Sequence, residues 1–392
     1  MAYNFDEMIE RKNTDSLKYD FAARRGKPDD LLPLWVADMD FRTPPCVVDA
    51  LIEKSAHGIF GYSESREDYF DVLRGWFSRR FYWQIQPEWL LKTPGVVFAI
   101  CAAIRALTQK GDAVLIQQPV YYPFTEAIEI NRRKLIVNEL ICDGGGYRID
   151  FDDFEQKIDE HGVKLFILCS PHNPVGRVWT RNELIRMGDI CVQHGVTVIS
   201  DEIHADFIYP GHTHSVFAGL KPEFEGITIT CTAPTKTFNL AGLQISNIFI
   251  ANRTLRNRIH QEINRCGYSQ LNVMGIVACK AAYKHGDDWL EALKGYLAEN
   301  LAFLRSFLDA HIPKIKLVEP QGTYLVWLDC RALSFSDSAL DELIVSRAKL
   351  WLDAGTMFGQ GGSGFQRINI ACPRALLKQA LEQLAEALNA QY

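Results

Sequence analysis

The sequence predicts an α/β fold with two parts: a large domain built on a mixed, mostly parallel sheet covered by helices, and a smaller α+β domain after it. Three observations support this prediction. Short β-branched runs alternate with helical patterns through the middle of the chain, a long leucine repeat follows, and the pattern then changes up to the C-terminus. The length of 392 residues also exceeds what one hydrophobic core usually sustains, which indicates two domains.

The strands of the large domain are predicted from short runs rich in valine, isoleucine and threonine. Helical patterns separate these runs, and such alternation is typical of parallel strands joined by helices. The runs are AVLI at 113, KLFILCS at 164, VTVIS at 196, ITITCT at 227 and SNIFIA at 246.

One long amphipathic helix is predicted over 287–311, because leucines recur at 290, 293, 297, 301, 304 and 308 without an interrupting proline. The small domain then reads as a strand TYLVWLD, a helical stretch near 337–350, a strand QRINI and a closing helix from about 374. We therefore divide the chain into an N-terminal segment, 1–45, that joins the small domain, a large domain, 46–286, and a small domain, 287–392.

Composition and charge exclude several classes of protein. Hydrophobic residues at 47% and charged residues at 23% are typical of a soluble globular chain, and a net charge of −6 without basic runs gives no footprint for nucleic acid or anionic lipid. The ten cysteines form no CxxC pair, which favours a reducing compartment.

The first residues, MAYNFDEMIERKN, lack the apolar region of a signal peptide, and the longest apolar run, 96–104, is too short to span a membrane. We expect a cytoplasmic protein.

Polar residues follow three successive predicted strands. Asn173 comes after KLFILCSP, Asp201 directly after VTVIS, and Lys236 shortly after ITITCT. If these strands are parallel, all three side chains emerge at the carboxyl edge of the sheet, where open α/β sheets bind ligands. We expect them to converge on one site.

Two further features belong to the same predicted edge. The aromatic Tyr121 follows the strand AVLIQQP, and Gly95, Val96 and Val97 open a helix that runs to Leu107. The N-terminus of a helix presents free N–H groups and the positive end of its dipole, which suit a phosphate. The site thus combines an amine, a carboxylate, an amide, an aromatic face and an anion cradle.

Pyridoxal phosphate (PLP) requires this combination of groups. Its aldehyde needs a lysine, here Lys236, and its ring nitrogen needs an anion that keeps it protonated, here Asp201. Asn173 would contact the ring hydroxyl, Tyr121 the ring face, and the amides of 95–97 the phosphate. An amino-acid substrate also carries an α-carboxylate, and Arg367 in QRINIACPR is our candidate for binding it.

Each of these residues has a simpler interpretation when it is taken alone. An Asn-Pro pair after a strand is usually a turn, an aspartate there is often a helix cap, and a lone lysine is usually solvated. Tyr121 keeps the alternative of a packing aromatic. The ordered series SPHNPVGR, SDEIH and APTKTFNLAGLQ, each after a predicted strand, favours the cofactor.

A metal site is the other alternative, since His204, His212 and His214 lie near Asp201 and Glu202. The tract lacks the helical spacing of an HExxH motif, and Asp201 and His204 have roles in the cofactor interpretation. We therefore expect no metal.

At these motifs the sequence resembles class I/II aminotransferases, the aspartate-aminotransferase-like fold-type I PLP enzymes, and within them the cystathionine β-lyase branch of the MalY/PatB type. The motifs run in order along nearly the whole chain. They are LWVADMDF at 34, GYSE at 61, PGVVFAI at 94, SPHNPVGRVW at 170, SDEIHADF at 200, APTKTFNLAGLQ at 233, PQGTYLVWLD at 320 and RINIACPR at 367.

The resemblance implies roles for individual residues. It implies that Lys236 binds the cofactor covalently, that Asp201 faces the pyridine nitrogen, that Asn173 and His204 lie near the ring hydroxyl, and that Arg367 holds the substrate carboxylate. Tyr62 in GYSE resembles a tyrosine that reaches the cofactor phosphate of a neighbouring subunit, which implies a homodimer with shared active sites.

The sequence departs from many aminotransferases of this fold beside the lysine. A serine and an arginine that contact the phosphate are replaced here by Ala233 and Gln244. Thr232 or Thr235 would supply a hydroxyl instead, and Thr235 joins the list of expected cofactor contacts. The forms DEIH and AGLQ are like those of the carbon–sulfur lyase branch.

The predicted reaction is therefore α,β-elimination, with Lys236 as the general base that removes the Cα proton. Cystathionine or another S-substituted cysteine would yield a thiol, pyruvate and ammonia. The first alternative is a PLP-dependent aminotransferase. The second is a protein that binds a transcription regulator while it retains lyase activity.

Overall fold

A computed structural model describes residues 3–390 of the chain. Short strands and helices alternate through its first two thirds, as predicted. The strands are β1 (Leu32–Pro33), β2 (Leu90–Thr93), β3 (Ala113–Gln118), β4 (Lys134–Glu139), β5 (Ile141–Cys142), β6 (Tyr147–Arg148), β7 (Leu165–Cys169), β8 (Thr197–Asp201), β9 (Thr228–Thr232), β10 (Ser246–Phe249), β11 (Lys316–Val318), β12 (Leu325–Asp329), β13 (Leu350–Trp351), β14 (Asp353–Ala354) and β15 (Phe365–Asn369).

The helices cover both faces of the large sheet and continue into the C-terminal part. They are α1 (Pro45–His57), α2 (Glu67–Phe81), α3 (Val96–Leu107), α4 (Pro123–Ile130), α5 (Phe151–His161), α6 (Arg181–Gln193), α7 (Pro222–Glu225), α8 (Pro234–Thr237), α9 (Arg253–Arg265), α10 (Val273–His285), α11 (Asp287–His311), α12 (Asp337–Asp341) and α13 (Arg374–Asn389). Within residues 3–390, no helix is long and apolar enough to cross a membrane.

Seven strands form the large sheet in the order β2-β10-β9-β8-β7-β3-β4. The five strands from β9 to β4 are parallel to one another, whereas β10 runs antiparallel to both β9 and β2. This mixed, mostly parallel sheet confirms the predicted fold class. Because β3, β7, β8 and β9 point the same way, their carboxyl ends lie at one edge.

Apolar side chains on both faces of the large sheet explain why its strands lack polar alternation. Every residue of β3, β7 and β9 is buried. One face packs against α5 and α6, and the other packs against α3 and α9, so that the sheet lies between two cores. Such double coverage is expected of parallel strands.

The C-terminal part contains a four-stranded antiparallel sheet in the order β11-β12-β15-β14. The long helix α11 has the bounds that its leucine repeat predicts, and its leucines are buried. The helical stretch predicted near 337–350 is shorter, because α12 passes into a π-helical turn, Glu342–Arg347, which ends before β13.

The N-terminal segment runs beside this second sheet. Strand β1 pairs in parallel with β13, and the amide of Asp40 donates to the carbonyl of Ala371 at 3.0 Å. On these contacts we propose the division of the chain at residues 45 and 286. The outermost residues of that division, 1–2 and 391–392, lie outside the part that the structure describes.

A buried ion cluster holds the N-terminal segment in place. The carboxylate of Asp40 accepts from Lys18 Nζ at 2.6 Å and from Arg11 Nη1 at 2.7 Å. The side chain of Lys18 is 0% exposed and that of Asp40 is 5% exposed. A buried ammonium is costly without a counter-ion, so the two charges depend on each other.

We expect Asp40→Ala to lower the free energy of unfolding by about 3–5 kcal/mol, because it leaves the charge of Lys18 buried and unpaired. Urea-induced unfolding followed by circular dichroism measures this change. Glu7→Ala is the matched control, since Glu7 pairs with Arg42 in an exposed ion pair of the same segment, and it should change stability far less. Equal losses of unfolding free energy in the two variants would contradict the proposed dependence of Lys18 on Asp40.

Candidate active site

The carboxyl edge of the large sheet carries the predicted site residues. Asn173 follows β7, Asp201 is the last residue of β8, and Lys236 lies in α8 just after β9. They meet in one cavity, together with Tyr121 after β3. The residues that line this cavity are Ala37, Val96, Val97, Tyr121, Cys169, Asn173, Asp201, Ile203, His204 and Lys236.

Lys236 is half-buried, and its amine donates a hydrogen bond of 3.4 Å to the carbonyl of Ala37. Desolvation lowers the pKa of this amine to about 8, with Arg367 acting in the same direction and the carboxylates of Asp38 and Asp201 opposing it. About a tenth of the amine is therefore unprotonated at pH 7, far more than for an ordinary lysine. An unprotonated amine is the form that can attack a carbonyl or accept a proton.

Asp201 is buried, and burial raises the pKa of its carboxyl to about 7. The neighbouring carboxylate of Glu202 raises this pKa further, whereas the backbone N–H of Ile203, which donates at 3.2 Å, and the amine of Lys236 lower it. A cation placed against Asp201 would stabilise its ionised form. Asp201 can therefore act as the counter-ion of a protonated nitrogen in the cavity.

Asn173 connects the cavity to the small domain. Its side-chain oxygen accepts from Arg367 Nη1 at 3.1 Å, and its backbone carbonyl accepts from the amide of Tyr121 at 3.0 Å. Arg367 is 2% exposed, and its Nε atom is buried without a hydrogen-bond partner among residues 3–390. An orphaned guanidinium N–H beside the cavity is a donor for an incoming carboxylate.

His204 is also buried beside the cavity. Burial lowers the pKa of its imidazole to about 3, and the positive charges of Lys236 and Arg367 contribute, so the ring is neutral. Its Nδ1 atom makes no hydrogen bond to any described residue. A buried polar atom without a partner indicates a contact that a ligand completes.

The start of α3 faces the same cavity. Gly95 is the residue before this helix, and no side chain caps its N-terminus. Val96 and Val97, in the first turn, line the cavity. The free N–H groups of this turn can therefore bind an anion.

The two candidate threonines do not line the cavity. The hydroxyl of Thr232 donates to the carbonyl of Asn247 at 2.8 Å, so this hydroxyl is already engaged. Thr235 is half-buried beside Lys236, and its carbonyl accepts from the amide of Leu240. Contact between Thr235 and a cofactor stays a prediction.

Tyr62 lies away from the cavity within this chain. Its side chain is 98% exposed. It borders a separate surface groove that also contains Gln244, the residue that replaces an arginine of many aminotransferases. The groove is lined by Phe60, Gly61, Tyr62, Ser63, Gln244, Gly267, Tyr268, Ser269, Gln270, Leu271, Asn272, Val273 and Met274.

The three histidines considered for a metal do not cluster. His214 Nε2 lies 2.8 Å from the carboxylate of Glu202, while His204 faces the cavity. The described residues contain no group of three or more side chains arranged to bind a metal ion.

Three residues that contribute to the site were not predicted from the sequence: Ala37, Tyr324 and Asp353. Ala37 accepts hydrogen bonds at its carbonyl from both Lys236 and the hydroxyl of Tyr324, the latter at 2.8 Å. Asp353 pairs with Arg367. The motif LWVADMDF pointed to the segment of Ala37, but a backbone carbonyl has no signal in the sequence. Asp353 is recognisable only from the strand register.

Comparison with known proteins identifies the family. The model of the family "Aminotransferase class I and II" matches residues 29–384. The chain belongs to this family. Both the predicted family and the predicted fold are confirmed.

The relatives include a protein that is named as a lyase. This chain is 43% identical over 386 residues to cystathionine beta-lyase PatB of Bacillus subtilis (strain 168). The match covers 98% of this chain and 100% of PatB. The chain is 35% identical over 390 residues to protein MalY of Escherichia coli (strain K12), covering 99% of each. Among solved structures, cystalysin from Treponema denticola, which contains a pyridoxal 5'-phosphate cofactor, superposes with a TM-score of 0.97 at 38% identity over 100% of both chains.

Proposed function

We propose that this protein is a PLP-dependent carbon–sulfur β-lyase that cleaves cystathionine or other S-substituted cysteines. The observation that carries the proposal is the half-buried amine of Lys236, which shares one cavity with Asp201 and Asn173 in a chain similar to PatB and cystalysin. The reaction consumes water and releases a thiol, pyruvate and ammonia.

The residues of the cavity fit PLP. Lys236 offers a partly unprotonated amine for the aldehyde, and Asp201 offers a carboxyl that a protonated ring nitrogen would ionise. The unpartnered Nδ1 of His204 and the amide of Asn173 suit the ring hydroxyl, Tyr121 the ring face, and the first turn of α3 the phosphate. When bound, PLP supplies a ring that accepts the electron pair left at the substrate Cα.

Lys236 performs the proton transfer in this proposal. Its amine takes the proton from Cα, and the bond between Cβ and sulfur then breaks with its electron pair on the leaving thiolate. Desolvation favours this step because it lowers the pKa of the amine toward the working pH. The carbonyl of Ala37 accepts a hydrogen bond from this amine, so it is placed to orient the amine once the amine is free.

Arg367 binds the α-carboxylate of the substrate. Its guanidinium lies within hydrogen-bond distance of Asn173, and its unpartnered Nε, together with the second N–H of Nη1, is available to donate to a carboxylate. Binding at Arg367 orients the substrate amino group toward Lys236. The proposed substrate is an amino acid, whose carboxylate and amino group would meet Arg367 and Lys236. We also propose that the reaction takes place in the cytoplasm.

We expect wild-type protein loaded with PLP to release thiol and pyruvate in equal amounts from cystathionine. Lys236→Ala should lower this rate by about 10³-fold or more, because it removes both the cofactor anchor and the base. Product analysis by coupled pyruvate and thiol assays measures the change. Lys221→Ala is the control, since Lys221 lies in a surface ion pair with Asp189.

Two results would contradict the proposal. One is full activity in Lys236→Ala. The other is formation of glutamate from 2-oxoglutarate by the wild-type protein without release of thiol, which would make the protein an aminotransferase.

We also propose a homodimer in which Tyr62 contacts the cofactor phosphate of the other subunit. The exposure of Tyr62, and of the neighbouring Ile59 and Phe60 at 66% and 58%, supports this arrangement. Exposed apolar residues that are contiguous along the chain are typical of an interface. In a dimer with twofold symmetry each subunit donates the same residue to its partner.

Hybrid dimers test this arrangement. Mixed in equal amounts by co-expression, Lys236→Ala and Tyr62→Ala chains should recover about a quarter of the wild-type activity, because half of the dimers then contain one site with both residues intact. The assay uses a PLP concentration at which Tyr62→Ala alone is inactive. If Tyr62 served its own chain or no site, the mixture would show no activity beyond that of the separate variants.

A further inference from the structure

Arg367 has a buried carboxylate partner, Asp353, that the proposed reaction does not use. The side chains of Arg367 and Asp353 are 3% and 2% exposed. Both lie in the small antiparallel sheet, where β14 pairs with β15 and Asp353 stands directly opposite Arg367. Directly opposite residues of antiparallel strands project to the same face of the sheet. The backbone register therefore holds the two side chains together.

Arg367 already donates hydrogen bonds from two of its three nitrogen atoms. Nη2 donates to the carbonyl of Trp35 at 2.7 Å and to the carboxylate of Asp353, and Nη1 donates to Asn173 at 3.1 Å. Within the described part of the chain, Nε alone among the three nitrogen atoms has no partner. A guanidinium is planar, so contacts at Nη1 and Nη2 also fix the direction in which Nε points.

The pairing with Asp353 also offsets the cost of burying the positive charge of Arg367. A guanidinium this deeply buried would be strongly destabilising without a nearby negative charge. Asp353 supplies that charge, and burial raises the pKa of its carboxyl while Arg367 and Lys27 oppose the shift. The site for the substrate carboxylate can then stay formed in the absence of substrate.

We propose that Asp353 is a positioning residue that holds the guanidinium of Arg367 so that Nε receives the α-carboxylate of the substrate. This inference rests on the proposed role of Arg367. It extends that role to a residue that touches neither substrate nor cofactor. The carbonyl of Trp35 assists from the N-terminal segment, so that strand register and segment docking together set the orientation of the donor.

A pair of ligands that differ only in the carboxylate tests the inference. L-Methionine has an α-carboxylate and no leaving group on Cβ, and 3-(methylthio)propylamine is the same molecule without the carboxylate. Binding of each to the PLP-loaded protein is measured as a change in the visible absorbance of the cofactor. The rapid initial change is used, so that a slower transfer of the amino group from L-methionine to the cofactor, which an aminotransferase would catalyse, does not enter the measurement.

Asp353→Ala should weaken L-methionine binding by about tenfold or more and change binding of the amine by less than about twofold. Asp353→Asn keeps an oxygen that can accept from Arg367, so it should weaken L-methionine binding by about threefold, again selectively. Glu319→Ala is the matched control, because it removes an exposed ion pair with Arg305 elsewhere in the small domain.

Unchanged L-methionine binding in the Asp353 variants would overturn the inference. Equal weakening of both ligands would also overturn it, since that would mean general damage to the site. If Asp353→Ala does not fold, Asp353→Asn decides by the same comparison. If the wild-type protein showed no lyase reaction, the proposed function would be wrong, but the binding test of Asp353 could still be carried out and interpreted.

Discussion

Desolvation of the Lys236 amine is the constraint on which the rest of the candidate site depends. The amine lies where three parts of the chain meet: the edge of the large sheet, the N-terminal segment that contributes the carbonyl of Ala37, and the small domain that contributes Tyr324. Removal from water lowers the pKa of the amine to about 8. Without this closure Lys236 would be an ordinary protonated surface lysine.

Two charged side chains near Lys236, Asp201 and Arg367, differ in whether they already have a partner of opposite charge. Asp201, with its raised pKa, faces the cavity, and Arg367 is neutralised by Asp353 at its rear. The cavity therefore offers one carboxyl that can accept a cationic nitrogen and one guanidinium nitrogen that can accept an anion. An amino acid bound to PLP carries both of these partners.

Most of the fold follows from local patterns in the sequence. Parallel strands covered on both faces appear as continuous apolar runs, so β3, β7, β8 and β9 could be predicted, and the positions of Asn173, Asp201 and Lys236 after them followed. Two features could not be predicted from the sequence: the antiparallel direction of β10 and the π-helical turn that ends α12. Both depend on tertiary contacts. The roles of Ala37 and Asp353 also could not be predicted, because they depend on how the N-terminal segment docks and on how β14 pairs with β15.

We propose that Lys236 is the residue that binds the cofactor covalently. Reduction of the PLP-loaded protein with borohydride, followed by proteolysis and mass spectrometry, tests it most directly. We expect the peptide containing Lys236 to carry the reduced cofactor, and this modification to be absent from Lys236→Ala. A modified peptide that contains a different lysine, or no modified peptide in a fully loaded sample, would contradict it.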